Sequence, residues 1–102
     1  MLDRPEPPTA IVTTSDVLAL GVLDAARDRG LRPGVDLSVI GFDDVPEATA
    51  AGLTTVHQSM TDRGRAVGLI LLEPDAVTER HILLPAELVV RATTGPAPAG
   101  GE

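Results

Sequence analysis

The pattern that most limits what this chain can fold into lies between Thr9 and Phe42. There a β-branched apolar run, an amphipathic helical stretch and a second apolar run follow one another, separated by turn residues. The first run, TAIVTT (Thr9–Thr14), is short and apolar at its centre, as a buried strand is. Ser15 then supplies an N-cap and Asp16 a first-turn acid. DVLALGVLDAARD continues with helical spacing, and Gly30 stands where a left-handed stop belongs. Pro33-Gly34 turns the chain into the second run, Ser38–Phe42. Strand, helix and strand over short links make a βαβ unit, which predicts parallel strands.

Beyond Phe42 the signals weaken. Asp43–Gly52 reads as a loop with one helical turn after Pro46. LTTVHQS (Leu53–Ser59) alternates weakly and reads as a third strand. Ser59-x-x-Asp62 resembles a capping box, and a helix is predicted from Met60 to Glu73, stopped by Pro74. HILL (His81–Leu84) and ELVVRAT (Glu87–Thr93) read as extended. The organisation expected is a leader or linker over residues 1–8 and a βαβ core over 9–58. A further segment covers 59–84, a returning strand 85–94 and a disordered tail 95–102.

Composition narrows the function. At 102 residues the chain makes one small domain, able to bury roughly 65% of its unfolded surface. Phe42 is its only aromatic residue, so the core must come from aliphatic side chains. The net charge is -7 and every base is an arginine. An acidic chain with no basic stripe repels a phosphate backbone, so DNA contact by this polypeptide alone is not expected. There is no cysteine, which removes disulfides and thiolate chemistry and fits the cytoplasm. MLDRPEPP lacks the apolar core of a signal peptide, and no apolar run is long enough for a membrane helix.

The chemistry-bearing residues fall at strand ends. In an open parallel sheet the ligand crevice lies outside the carboxyl ends of the strands. Ser15 and Asp16 follow the first strand, Asp43 and Asp44 the second, and Gln58 closes the third. A carboxylate on a fixed backbone can accept from two neighbouring hydroxyls, as sugar sites require. The plainer reading makes Asp44 a turn former and Asp16 a residue that orders its own loop. Two catalytic alternatives are weaker. Paired acids can hold Mg²⁺ in a small metal-dependent α/β enzyme, but such sites want further acids and a lysine. Paired carboxylates can cleave glycosides only when they flank the bond. His57 and His81 read as ordinary strand residues.

On a helical wheel of Asp16–Asp28, Ala19, Val22, Leu23 and Ala26 form one apolar face and Asp24, Arg27 and Asp28 a polar arc. Val17 and Leu20 sit inside that arc, as scattered exposed residues or as a contact face for a partner.

Larger blocks carry a resemblance. PTAIVTTSDVLALGVLDAARDRGLRPGVDLSVIGFDD, LTTVHQSMTDRGRAVGLILL and LLPAELVVRATTGP together resemble the C-terminal part of LacI/GalR-type transcription regulators. GFDD followed by LTTVxQ carries most of the weight, and the likeness covers residues 8 to about 95. It implies an α/β fold with a parallel βαβ-based sheet, an incomplete C-terminal subdomain of a type I periplasmic-binding-protein-like domain. It also implies a non-enzymatic role without cofactor or metal: binding a small effector, usually a sugar or nucleoside, between two subdomains. By that likeness Asp43 contacts effector hydroxyls, Ser15 stands where Asn is frequent, Asp16 keeps the acid after it, and Gln58 marks the crossover between subdomains. Val17, Leu20 and Asp24 fall on the helix that family dimers pack together. A piece of an exported sugar receptor with the same fold is the runner-up, which the ELVVRATTGP ending disfavours.

The departures shape the remaining expectations. A helix-turn-helix and most of the first subdomain have no counterpart here, so DNA contact would need a domain absent from this chain. The Met60–Glu73 helix and HILL would pack on that first subdomain. Leaving Val67, Leu69, Ile70, Leu71 and Leu72 in water forgoes about 1.5–3 kcal/mol per large side chain. A homo-oligomer is therefore expected.

Overall fold

The computed structural model describes residues 3–73, 75 and 83–98. Strand β1 (Ala10–Val12) pairs in parallel with β2 (Ser38–Ile40), Ile11 opposite Val39, and helix α1 (Asp16–Asp28) connects them. Helix α2 (Pro46–Ala51) leads to β3 (Thr55–Gln58), which lies alongside β2 through parallel bridges Ile40–Thr54 and Asp43–His57. Helix α3 (Met60–Leu72) follows, and β4 (Ala86–Val89) returns antiparallel to β3, Val56 opposite Leu88. The three strands expected to run parallel do so, with their carboxyl ends on one side.

Local chemistry explains the elements. Ser15 Oγ accepts from the Leu18 N–H at 3.2 Å, and Ser59 Oγ from the Asp62 N–H at 3.2 Å, so both long helices start on side-chain caps. The strands are assigned shorter than expected, yet their ladders run on. The Thr13 N–H reaches the Ile40 carbonyl, the Gly41 N–H that of Thr54 and the Asp43 N–H that of Val56, all at 2.9–3.0 Å. Asp43–Gly52 holds more helix than the single turn expected. Pro46 opens α2, where a missing N–H costs nothing, and Gly52 closes it at φ 66°.

The core is small and aliphatic. Ala19, Leu23 and Ala26 of α1 pack with Leu37, Val39, Ala48 and Leu53, and Ile11, Leu20, Val22, Leu31 and Val45 close around them. The apolar wheel face of α1 is thus the buried one.

The last strand is shorter than the Glu87–Thr93 piece the sequence suggests. From Arg91 onward the backbone bonds elsewhere: the Arg91 N–H to Thr54 Oγ1 and the Ala92 and Thr93 N–H groups to the Gly52 carbonyl. Thr93 is buried between β2 and β3, its hydroxyl donating to the Val39 carbonyl and accepting from the Thr54 N–H. Of HILL, His81 and Ile82 lie outside the described residues, and Leu83 and Leu84 are exposed and form no strand. The expected tail begins anchored, because the Gly95 N–H donates to Ser38 Oγ at 3.1 Å. The leader is tied as well, by Asp3 to Arg29 at 2.8 Å.

Helix α3 stands apart, burying none of its residues. The Cα radius of gyration is 17.7 Å, against about 13 Å for a compact chain of this length. Among the described residues no helix is long and apolar enough to cross a membrane.

Candidate functional site

A groove of about 390 Å³ opens at the carboxyl ends of β2 and β3. Asp43 to Pro46 line one side and His57 to Thr61 the other. A larger recess, about 440 Å³, runs along the free edge of β1 between Arg4 and Val12. None of the residues that the strand-end argument singles out lines it.

The groove is built on a buried acid. Asp16 is fully buried at the start of α1. Its Oδ1 accepts from Thr55 Oγ1 at 2.6 Å and its Oδ2 from the Val45 N–H at 2.8 Å, so both oxygens are spent inside the protein. Its own N–H donates to the Phe42 carbonyl at 2.9 Å. Asp16 therefore ties the start of α1 to the segment that follows β2 and to the first residue of β3. A Cβ at Gly41 would collide with Asp16 Oδ1 and crowd Leu53. Glycine in GFDD thus answers a packing need: it leaves room for the carboxylate that fixes the loop.

The two acids that follow adopt a backbone that few L-residues take. Asp43 has φ 113° and Asp44 φ 61°. Such positions cost on the order of 1–3 kcal/mol each and need outside support. Asp44 receives it from two directions. Its Oδ1 accepts from Arg91 Nη1 at 2.9 Å and its Oδ2 faces His57 Nδ1 at 3.0 Å. The Arg91 guanidinium, and after it His57, hold the Asp44 carboxyl below its ordinary value, against an opposing desolvation. Asp43 is different. Among the described residues nothing bonds its carboxylate, and its side chain lines the groove with its charge available.

The residues singled out in the sequence are thus sorted. Asp43 and Gln58 share the groove. Gln58 Oε1 accepts from Arg63 Nη1 at 2.8 Å, which steadies the side chain. Ser15 sits at the neighbouring strand end but outside the groove lining, its hydroxyl used as the α1 cap. Asp16 lies below the groove rather than in its wall, because burial and two donors enclose it. Asp44 spends both oxygens on Arg91 and His57, so the adjacent acids do not form the paired metal-ligand set an enzyme of that kind would need. On α1, Val17 is 71% exposed and Asp24 is exposed, whereas Leu20 is half-buried against the core.

Arg91 and His57 are the participants that sequence reading passes over. His57 sits one residue before Gln58 in a strand ending at the crevice, which is a usable signal. Arg91 joins Asp44 across 47 residues of sequence, and no local pattern announces such a pair.

Residues 1–94 match the periplasmic binding protein-like domain family. The chain is 44% identical to the HTH-type transcriptional regulator AglR of Rhizobium meliloti, over 95% of this chain and 30% of that protein. It is 40% identical to the HTH-type transcriptional repressor CytR of Escherichia coli, over 96% of this chain and again 30% of the relative. The chain thus spans about 30% of the length of these curated relatives. Among solved structures, a LacI transcriptional regulator from a Rhodococcus species superposes with a TM-score of 0.81 at 37% identity, covering 95% of this chain and 37% of that one. The lac repressor dimer bound to operator and the anti-inducer ONPF superposes with a TM-score of 0.75 at 34% identity, covering 87% of this chain and 32% of that one. These relatives are transcription regulators or repressors, not enzymes.

Proposed function

The chain belongs to the periplasmic binding protein-like domain family, and from that premise we propose that it is the C-terminal effector-domain portion of a LacI/GalR-type regulator and supplies one wall of an effector site. The observation that carries this reading is the Asp43 carboxylate, without a hydrogen-bond partner among the described residues and held at a strained φ beside Gln58 in a strand-end groove. A carboxylate accepts from hydroxyls and a side-chain amide both donates and accepts, a pairing suited to a sugar or to the ribose of a nucleoside.

The rest of the assembly follows from the same premise. The exposed side of α1, with Val17 and Asp24 at its centre and Leu20 beneath, is the face we assign to pairing with a second copy. The apolar side of α3 is assigned to the first subdomain, which in this reading closes the site from the other side. DNA contact falls to a domain outside this chain, since a net charge of -7 opposes it here. The cytoplasm, where DNA is reached, is the expected location.

The test is NMR titration of the ¹⁵N-labelled chain with D-glucose and with adenosine, at up to millimolar concentration. One wall supplies only part of the contacts, so binding is expected to be weak, with shifts centred on Asp43, Gln58 and Ser59 and lost in Asp43→Asn. Shifts confined to the β1 edge, or none with either probe, would overturn the assignment of the groove.

A further inference from the structure

Asp43 can present its carboxylate only while an unfavourable backbone turn is maintained, which raises the question of what maintains it. Three groups meet at Asp44. Arg91 enters from beyond the end of β4, His57 from β3, and the Asp43–Asp44 turn itself from the end of β2. The Arg91 side chain is 19% exposed and that of Asp44 15%, so this ion pair is largely shielded from water and works at close range. Arg91 is fixed before it reaches Asp44. Its N–H donates to buried Thr54 Oγ1 at 2.9 Å, and its Nη1 donates to the Leu53 carbonyl at 3.0 Å as well as to Asp44 Oδ1. The guanidinium thus bridges the start of β3 and the carboxylate beyond the end of β2. His57, half in solvent, is the weaker second contact.

We propose that Arg91 is a positioning residue of the groove: by clamping Asp44 it sets the left-handed Asp43–Asp44 turn and so the direction in which Asp43 meets a ligand. The inference rests on reading the groove as an effector site, but the positioning itself concerns the chain without ligand. It also gives the segment that follows β4 a role in the groove, although Arg91 is not among the residues that line it.

The experiment compares the full chain with Arg91→Gln and Arg91→Lys by amide hydrogen exchange and ¹³C carboxyl NMR. In Arg91→Gln, exchange at the Asp43 N–H, which is bonded to the Val56 carbonyl, is expected to accelerate about tenfold or more, while the amides of Leu23 and Ala26 in α1 stay within twofold. The Asp44 carboxyl should titrate at a higher pH than in the parent, and Arg91→Lys should restore part of both effects, since it keeps the charge and loses the fork. Uniform acceleration across the chain would mean a merely structural ion pair, and no acceleration at Asp43 would mean no clamp; either result overturns the proposal. Should Arg91→Gln fail to fold, Asp44→Asn must show the same local loosening, and its absence there also overturns it. If the clamp behaves as expected while the parent chain shows no groove shifts with D-glucose or adenosine, the positioning stands and the effector reading alone fails.

Discussion

Helices α1 and α3 are each thirteen residues long, each begins on a serine cap, and each carries several aliphatic side chains. In α1, Ala19, Leu23 and Ala26 are completely buried; in α3 no residue is. The difference lies in what each helix has to face. The βαβ connection sets α1 on the sheet formed by its own flanking strands, and the loop through α2 covers it further. Among the described residues no such surface is given to α3, which leaves β3 and has no buried residue. Val67, Ile70 and Leu71 still keep the i, i+3, i+4 spacing of a stripe made to be covered. Gly64 and Gly68, interior to α3, have open space around them, and each weakens an isolated helix by about 1 kcal/mol. A helix of this length is marginal alone in water. Apolar content therefore does not make a core; a matching surface does, and only one half of this chain contains both.

The strongest way to break that comparison is to cut into the packed half. Leu23→Ala removes a fully buried side chain from the centre of the core. Urea unfolding is expected to show a loss of about 2–5 kcal/mol, the range for such truncations. In a domain with few large buried side chains, that could remove most of the stability. A loss below about 1 kcal/mol would mean that α1 is no better packed than α3.

The same contrast explains what was legible in the sequence. The βαβ unit could be read because periodicity, caps and turn residues are local. Ser15 and Gly30 declare themselves within a few residues of their partners, and the Ala19–Leu23–Ala26 face by its own helical spacing. Asp43 and Gln58 were found at one site because parallel strands place their carboxyl ends together. The burial of Asp16 was harder to see, since its donors, Thr55 and the Val45 N–H, arrive from 39 and 29 residues away. The early end of the last strand depends on Thr54 and Gly52 capturing the backbone after Val90, and the Arg91–Asp44 pair on where that captured segment lies. Such contacts exist only once the chain has folded, and no spacing encodes them.

A pH measurement sharpens the comparison within the packed half. The folded Asp44 carboxyl titrates below its unfolded value, chiefly through Arg91. Its contribution is therefore complete above the ordinary carboxylate value of about pH 4 and is lost as pH falls through the folded value. The parent should exceed Asp44→Asn in thermal stability at pH 7, and the gap should close as pH is lowered from about 5 towards 2. The effect should be smaller than that of Leu23→Ala, because Asp44→Asn removes one ion pair and leaves the buried aliphatic packing intact. A gap that stays constant with pH would show that Asp44 does not act through its charge.

The smallest expected effect lies in α3. Leu71 is 73% exposed, so Leu71→Ala gives up almost no buried area in the monomer and puts a better helix former in its place. Its unfolding free energy at low micromolar concentration should stay within about 0.5 kcal/mol of the parent. Light scattering over a range of concentrations gives the second reading. If the α3 stripe drives association of free chains, the parent should grow in mass with concentration and Leu71→Ala should do so less. A loss approaching that of Leu23→Ala, at a concentration where the parent is monomeric, would mean that α3 folds back onto the chain in solution. The contrast between the two helices would then fail, and with it the assignment of α3 to a surface outside this chain.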